Sequence, residues 1–203
     1  MSRTSPIPVR PVLLLGGVLL LVRLAGWAAP AVRSPLLSPE IAAAALFLYT
    51  PLFRYARRWP PAWIRIPDPR RSALLTAGLA AGGALVFLIY RRLPLPPALL
   101  PYAGPLPPFG EFLLGQLLLA ALPEEVFFRG YLYDAFEEAG IAPAVATAVL
   151  FAAAHLVIRP TPYRALTLFP GLVFGWARKR TGTLWAPAAL HLAFNLFPWL
   201  PEF

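Results

Sequence analysis

The chain has 203 residues, of which 59% are hydrophobic and only 13% are charged, a balance far more apolar than that of an ordinary water-soluble domain. It contains no cysteine, which excludes disulfide bonds, a thiol nucleophile and thiolate metal sites. The formal net charge of +9 comes from short arginine clusters between apolar stretches, the pattern of membrane topology signals rather than of nucleic-acid binding. Composition therefore predicts one compact membrane domain.

Apolar stretches along the chain predict an all-α protein, a polytopic transmembrane helix bundle of about six to seven spans. Crossing a hydrocarbon core of about 30 Å takes about 20 mostly apolar helical residues. Several stretches are shorter than this and would depend on neighbouring helices for burial. The predicted helices cover 12–32, 38–53, 73–90, 111–136, 142–158, 163–177 and 183–199.

Arginine placement predicts the orientation of the bundle. The linker 54–71 carries six arginines and should be cytoplasmic, because basic loops stay inside. That placement also puts the basic cluster 178–180 and the N-terminus inside. We therefore expect a multi-pass membrane protein with a cytoplasmic N-terminus. Arg23 is the one charge within a span to which no role is assigned; it either snorkels to an interface or pairs with a carboxylate.

Aromatic and proline residues mark the ends of the predicted helices. Tryptophans are expected at membrane interfaces, here at 27, 59, 63, 185 and 199. The segment 92–110 contains too many prolines to form a continuous helix, so we predict a loop and a candidate lid. The loop divides the chain into N-terminal helices with the proline-rich loop, 1–110, and the C-terminal helices, 111–203.

Two adjacent carboxylates, Glu124 and Glu125, follow an apolar run in the fourth predicted helix. Charged side chains inside a membrane cost about 2.5–3.5 kcal/mol each on insertion scales, so each suggests a function. Glu125 can pair with Arg129 one turn later, which leaves Glu124 free. Pro123 interrupts the helical hydrogen bonds beside them. A pair that only holds helices together is the structural alternative.

Two imidazoles and an amide occur on later predicted helices. Small residues precede His155 and allow close helix approach, while His191 and Asn195 share one helical face. One histidine in an apolar helix is more often a structural hydrogen-bonding group, so the interpretation rests on the combination. A buried carboxylate with a histidine can activate water, and a histidine with an asparagine can stabilise an oxyanion.

Three ordered motifs now stand out: EExxxR at Glu124, Glu125 and Arg129, FxxxH at Phe151 and His155, and HxxxN at His191 and Asn195. In these motifs the sequence resembles the CAAX-type prenyl endopeptidases and their bacterial Abi or bacteriocin-processing relatives, which are intramembrane glutamic proteases. The resemblance covers roughly 111–199. It implies an α-helical bundle in the bacterial inner membrane that hydrolyses a peptide bond, with 111–203 as its protease-like catalytic core.

The resemblance also implies roles for the motif residues. Glu124 and His155 would activate the water, and His191 and Asn195 would form the oxyanion site. Glu125 and Arg129 would organise the first motif. No cofactor is implied by this mechanism. The expected partners are the lipid bilayer and a membrane protein or lipidated peptide, cleaved at a C-terminal sorting signal or a prenylated, CAAX-like tail, and not nucleic acid.

Other interpretations use the same residues. In a metalloprotease, His155, His191 and a glutamate would bind zinc with one open position for water; against this, the HExxH pattern is absent. A non-enzymatic membrane scaffold or bacteriocin-immunity protein would use the polar cluster to bind a partner without cutting it. A transporter is disfavoured because no internal repeat is visible.

Overall fold

The computed structural model describes residues 7–32, 38–56, 59–100 and 107–200, and every regular element in these ranges is helical. The predicted all-α class is therefore confirmed for this part of the chain. The helices are α1 Val9–Val32, α2 Pro39–Tyr55, α3 Pro69–Tyr90, α4 109–138, α5 Pro143–Ile158, α6 Pro162–Ala165, α7 Leu168–Thr181 and α8 Trp185–Asn195. Single 3₁₀ turns occupy Ala62–Ile64, Pro97–Leu99 and Phe197–Trp199.

Local sequence signals explain several helix ends. The side chains of Ser38 and Asp68 accept hydrogen bonds from the first-turn amides of α2 and α3, which satisfies donors that have no partner within the helix. Gly182 ends α7 in the left-handed conformation, with φ of 69°, a backbone that glycine adopts without a steric penalty.

Helix α4 is irregular on both sides of the two carboxylates. Two π-helical stretches, Gln116–Ala121 and Val126–Leu132, flank a single α-helical turn, Leu122–Glu125, that contains Pro123. Proline has no amide hydrogen and crowds the preceding turn, and π turns often occur at functional sites. The interruption predicted from Pro123 is therefore present in the structure.

The predicted helix 163–177 is broken in two. The short helix α6 ends at Ala165, and α7 starts at Leu168. Pro170 lies in the first turn of α7, where its ring would clash with the carbonyl four residues earlier if the helix continued back through Leu166. The sequence-based prediction overlooked this proline.

Helices α5 and α7 approach each other closely along small residues. A Cβ atom built on Gly171 would lie 3.3 Å from the Cα of Ala148, and one on Gly175 would lie 2.9 Å from the Cα of Ala144. Only glycine allows this separation at Gly175, because the facing atoms belong to backbone. The contact holds the histidine-bearing helix α5 against α7.

The N-terminal helices complete the core around α4. Phe47 of α2 packs against Phe127 and Phe128 of α4, with ring centroids 4.8 and 5.7 Å apart. In α1, Arg23 Nη1 donates to the carbonyl oxygen of Ile158 at 3.4 Å, so its partner is the C-terminus of α5 rather than a carboxylate.

The linker before α3 folds back into the protein. Trp63, expected at a membrane interface, is only 4% exposed and donates through Nε1 to Tyr55 Oη at 3.3 Å. Its carbonyl accepts from the amide of Leu184 at 2.8 Å. Trp63 therefore joins α2 to the start of α8, and the interfacial prediction is wrong for this tryptophan because the linker buries it.

Two of the described helices are long and apolar enough to cross a membrane alone, within Val9–Ala28 and Pro69–Tyr90. Helix α5 is apolar but shorter, and α4 is interrupted by its π turns. The count of six to seven spans therefore stays a prediction, as does the division into 1–110 and 111–203. In the proline-rich segment, Pro97–Leu99 forms one turn; residues 101–106 lie outside the described part, so the lid is also untested.

Candidate active site

Three helices bring one carboxylate and two imidazoles together. Oε2 of Glu124 on α4 lies 4.0 Å from Nε2 of His155 on α5 and 3.8 Å from Nε2 of His191 on α8. This oxygen is shielded from solvent and receives no hydrogen bond from any residue in the described ranges. A water oxygen about 2.8 Å from both Glu124 Oε2 and His155 Nε2 fits the distance between them. Glu124 and His155 can therefore share one water molecule beside His191.

The hydrogen positions on His155 follow from its other contact. Its Nδ1 lies 2.9 Å from the carbonyl oxygen of Phe151, and a carbonyl only accepts, so Nδ1 carries the hydrogen. In the neutral ring, Nε2 then presents a lone pair towards Glu124. A water molecule between them can donate one hydrogen to the carboxylate and the other to the imidazole.

The second carboxylate is fully buried and accepts two hydrogen bonds through one of its oxygens. Oε1 of Glu125 accepts from Nη1 of Arg129 and from Nδ1 of His191, both at 2.9 Å. Glu125 and Arg129 each have 0% exposed side chain, so the opposite charges compensate each other where water cannot. Glu125 thus pairs with Arg129 as the spacing predicts, and it also orients His191, a contact that the sequence did not reveal.

Aromatic rings and a backbone carbonyl complete the arginine site. Nη2 of Arg129 donates to Gly171 O at 3.0 Å. The guanidinium lies 4.5 Å from the ring centroid of Phe151 and 5.3 Å from that of Phe174, a favourable geometry for a desolvated cation. Phe151, the first residue of the FxxxH motif, therefore supports both Arg129 and the ring of His155, whose centroid is 4.4 Å away.

Asn195 has a partner that sequence reasoning missed. Its Nδ2 donates to Oε1 of Gln116 on α4 at 2.8 Å. Gln116 precedes Glu124 by eight residues, which in a regular α-helix places the two side chains about 80° apart. The wider π turn that begins at Gln116 reduces this offset. The available signal was a single amide in an otherwise apolar run.

A second polar network lies beyond Arg129 on the same helix. Nε of Arg178 donates to the carbonyl oxygen of Arg129 at 3.2 Å, and its Nη2 reaches Asp134 at 3.5 Å. Asp134 also accepts from Oη of Tyr55 at 2.6 Å. These contacts satisfy backbone freed by the π turn and hold α2, α4 and α7 together.

The distances in the site are longer than those between ligands of one zinc ion. Two ligand atoms on one tetrahedral zinc, with bonds of about 2.0–2.2 Å, lie about 3.4 Å apart. The distances of 3.8 and 4.0 Å from Glu124 to the imidazoles are longer. Within the described ranges, no group of three histidine, cysteine or acidic residues is placed to hold a metal ion. The expectation of a cofactor-free site stays a prediction.

Carboxylate, imidazole and amide groups thus lie together inside a largely apolar helical packing, and such groups can hydrolyse a peptide bond. The family model described as Type II CAAX prenyl endopeptidase Rce1-like matches residues 108–197. This part of the chain is therefore similar to the CAAX prenyl proteases, a family of membrane-embedded proteases, and the resemblance carried by the three motifs is confirmed.

The matched segment is somewhat less than half of the chain. It contains every residue of the candidate site, from Gln116 to Asn195, whereas α1, α2 and α3 lie outside it. No curated protein and no solved structure matches the chain.

Proposed function

We propose that the protein is an intramembrane endopeptidase in which Glu124 and His155 activate water to hydrolyse a peptide bond. The observation that carries this proposal is the buried Oε2 of Glu124, which lies between two imidazole nitrogens without a hydrogen bond from the described residues. A carboxylate left in this state at membrane depth is costly for stability, which favours a catalytic use.

In the first step, the shared water donates one hydrogen to Glu124 and one to His155. A lone pair on the oxygen of this water attacks the carbonyl carbon of the substrate as one proton passes to the Glu124–His155 pair. The carbonyl oxygen becomes the oxyanion of a tetrahedral intermediate. Neither a covalent enzyme intermediate nor a metal is needed for this step.

The oxyanion then requires hydrogen-bond donors fixed in an apolar site. The amide of Asn195 donates in every protonation state. His191 donates only when its Nε2 carries a hydrogen, because the Nδ1 hydrogen goes to Glu125. When the intermediate collapses, the C–N bond breaks and the proton held by Glu124 and His155 passes to the leaving amine.

The substrate class follows from the apolar surroundings and from the family. We propose a membrane protein or lipidated peptide, cleaved near a C-terminal sorting signal or a prenylated, CAAX-like tail, in the bacterial inner membrane. The matched segment supports the protease class, and the hydrophobic exterior of α1 and α3 supports a substrate that shares the bilayer.

The test is cleavage by the purified protein in lipid bilayers, with the products identified by mass spectrometry. Three substrates would be compared: a prenylated C-terminal peptide, the same peptide without the lipid, and a transmembrane helix with a C-terminal tail. We expect one defined cut in at least one substrate and none with Glu124→Ala. Tight binding of all three without a cut would instead support the scaffold or immunity interpretation.

A further inference from the structure

The amide of Asn195 is held by a hydrogen bond to Gln116. The amide nitrogen carries two hydrogens, and one is donated to Oε1 of Gln116 at 2.8 Å. The terminal torsion of asparagine is otherwise broad, so an isolated Asn195 could present either its oxygen or its nitrogen to a substrate. In the structure this hydrogen bond turns the nitrogen towards Gln116 and sets the direction of its second hydrogen.

The location of this pair connects it to the water site. Asn195 lies one helical turn after His191 on α8, about 5.4 Å along the axis. His191 itself lies 3.8 Å from Glu124. Gln116 stands on the same helix as Glu124, at the start of a π-helical stretch, so α4 supplies both a carboxylate and an amide acceptor. Both amide side chains are only partly exposed.

We propose that Gln116 is a positioning residue that fixes Asn195 as an oxyanion donor. This inference rests on the proposed peptidase function. Gln116 acts through Asn195 and does not touch the reacting atoms. Its loss should therefore slow the chemical step, where the oxyanion forms, and leave substrate binding nearly unchanged.

The variant that tests this is Gln116→Met, which has a similar length but cannot accept the hydrogen bond. We expect kcat to fall about tenfold and KM to change less than about twofold. The matched control is Leu117→Met, in the same π-helical stretch, which should keep wild-type kinetics. Thermal unfolding of both variants in detergent would show that they are folded.

A double-mutant cycle separates positioning from a general effect on the fold. Asn195→Ala should lower kcat about 10²–10³-fold. Adding Gln116→Met to that variant should lower kcat by no more than a further twofold or so, because the donor to be positioned is already gone. A further tenfold loss in the double variant would overturn the proposal.

A second variant gives an independent readout if Gln116→Met unfolds. Gln116→Glu keeps an acceptor, but its charged form places a negative charge near the developing oxyanion. Its kcat relative to wild type should rise as the pH falls and the new carboxyl group becomes protonated. A pH-independent ratio would contradict the positioning role.

The outcomes distinguish this inference from the proposed function. Wild-type cleavage that requires Glu124 but is unchanged by Gln116→Met would overturn only the role of Gln116. Cleavage that persists in Glu124→Ala, or no cleavage at all, would overturn the peptidase function and this inference with it.

Discussion

Glu124 and Glu125 are adjacent in the sequence but differ in their charged partners. Oε2 of each is buried without a hydrogen bond from the described residues, but Glu125 accepts from both Arg129 and His191 through its other oxygen. Stability and catalysis are therefore assigned to different members of the pair. Replacing each glutamate in turn by glutamine can test this division of roles.

The first prediction concerns these two substitutions. Glu125→Gln leaves the buried Arg129 without its counter-charge and should lower the free energy of unfolding by about 3 kcal/mol. Glu124→Gln removes a buried, unpartnered charge, so the protein should be at least as stable as wild type and up to about 1 kcal/mol more stable. Unfolding in detergent measures both values.

The same two variants should also differ in activity. Glu124→Gln should lose at least about 10³-fold in kcat although it remains folded, because the general base is gone. Equal destabilisation by the two substitutions would contradict the division of roles, and so would a Glu124→Gln variant that unfolds.

At the scale of the helices, the separation of α5 and α7 determines the position of His155. Ala144 and Ala148 on α5 face Gly175 and Gly171 on α7. The same approach places the carbonyl of Gly171 within reach of Arg129. The close contact between these helices therefore supports the arginine site and the imidazole together.

The second prediction follows from this close contact. Gly175→Ala would place its Cβ 2.9 Å from backbone atoms of Ala144, which must force the helices apart. We expect a loss of about 1–3 kcal/mol in stability and a clear fall in kcat. Gly78→Ala is the control, since a Cβ there meets nothing within 4 Å; it should be neutral or slightly stabilising.

An unchanged stability and kcat for Gly175→Ala would show that the contact is not needed. Loss in both glycine variants alike would point to a general effect of alanine substitution in this protein rather than to the helix separation.

Much of the helical framework was predictable, whereas the contacts between helices were less so. A continuous apolar stretch predicted 142–158, and the helix is Pro143–Ile158. The contact of Gln116 was not predictable from the sequence. A regular α-helix would place its side chain about 80° around the axis from that of Glu124, and hydrophobic periodicity does not reveal a π turn that changes this angle. The contact of His191 with Glu125 depends on how α8 packs on α4, and Trp63 was misjudged because folding of the linker is a tertiary effect.

At the scale of the whole molecule, helix α3 presents an exposed apolar surface. Only 6% of the most apolar 18-residue stretch of α3 is buried. The side chains of Leu74, Leu85 and Val86 are at least 60% exposed. A water-soluble protein rarely exposes so continuous an apolar surface. This exterior fits a helix in contact with lipid.

The third prediction concerns orientation in the membrane. Because the chain has no cysteine, single cysteines can be labelled in intact cells with a membrane-impermeant reagent. We expect Arg92→Cys to be labelled from outside and Lys179→Cys only after the cells are opened, since basic clusters favour the cytoplasm. Leu85→Cys, exposed on α3, should resist the reagent in both states because lipid covers it.

Labelling of Lys179→Cys in intact cells with protection of Arg92→Cys would reverse the orientation. Ready labelling of Leu85→Cys in opened cells would contradict the placement of α3 in the bilayer.

The central claim is that Glu124 activates water without a metal. The most direct measurement is the single-turnover rate of peptide cleavage by wild type, Glu124→Gln and Glu111→Gln, each before and after treatment with a strong chelator. Glu111 is an exposed carboxylate at the start of α4 and serves as the matched control. We predict that wild type and Glu111→Gln cleave at equal rates with or without chelator, while Glu124→Gln does not cleave. Cleavage by Glu124→Gln at the wild-type rate, or abolition of wild-type cleavage by the chelator and its recovery with zinc, would contradict this account.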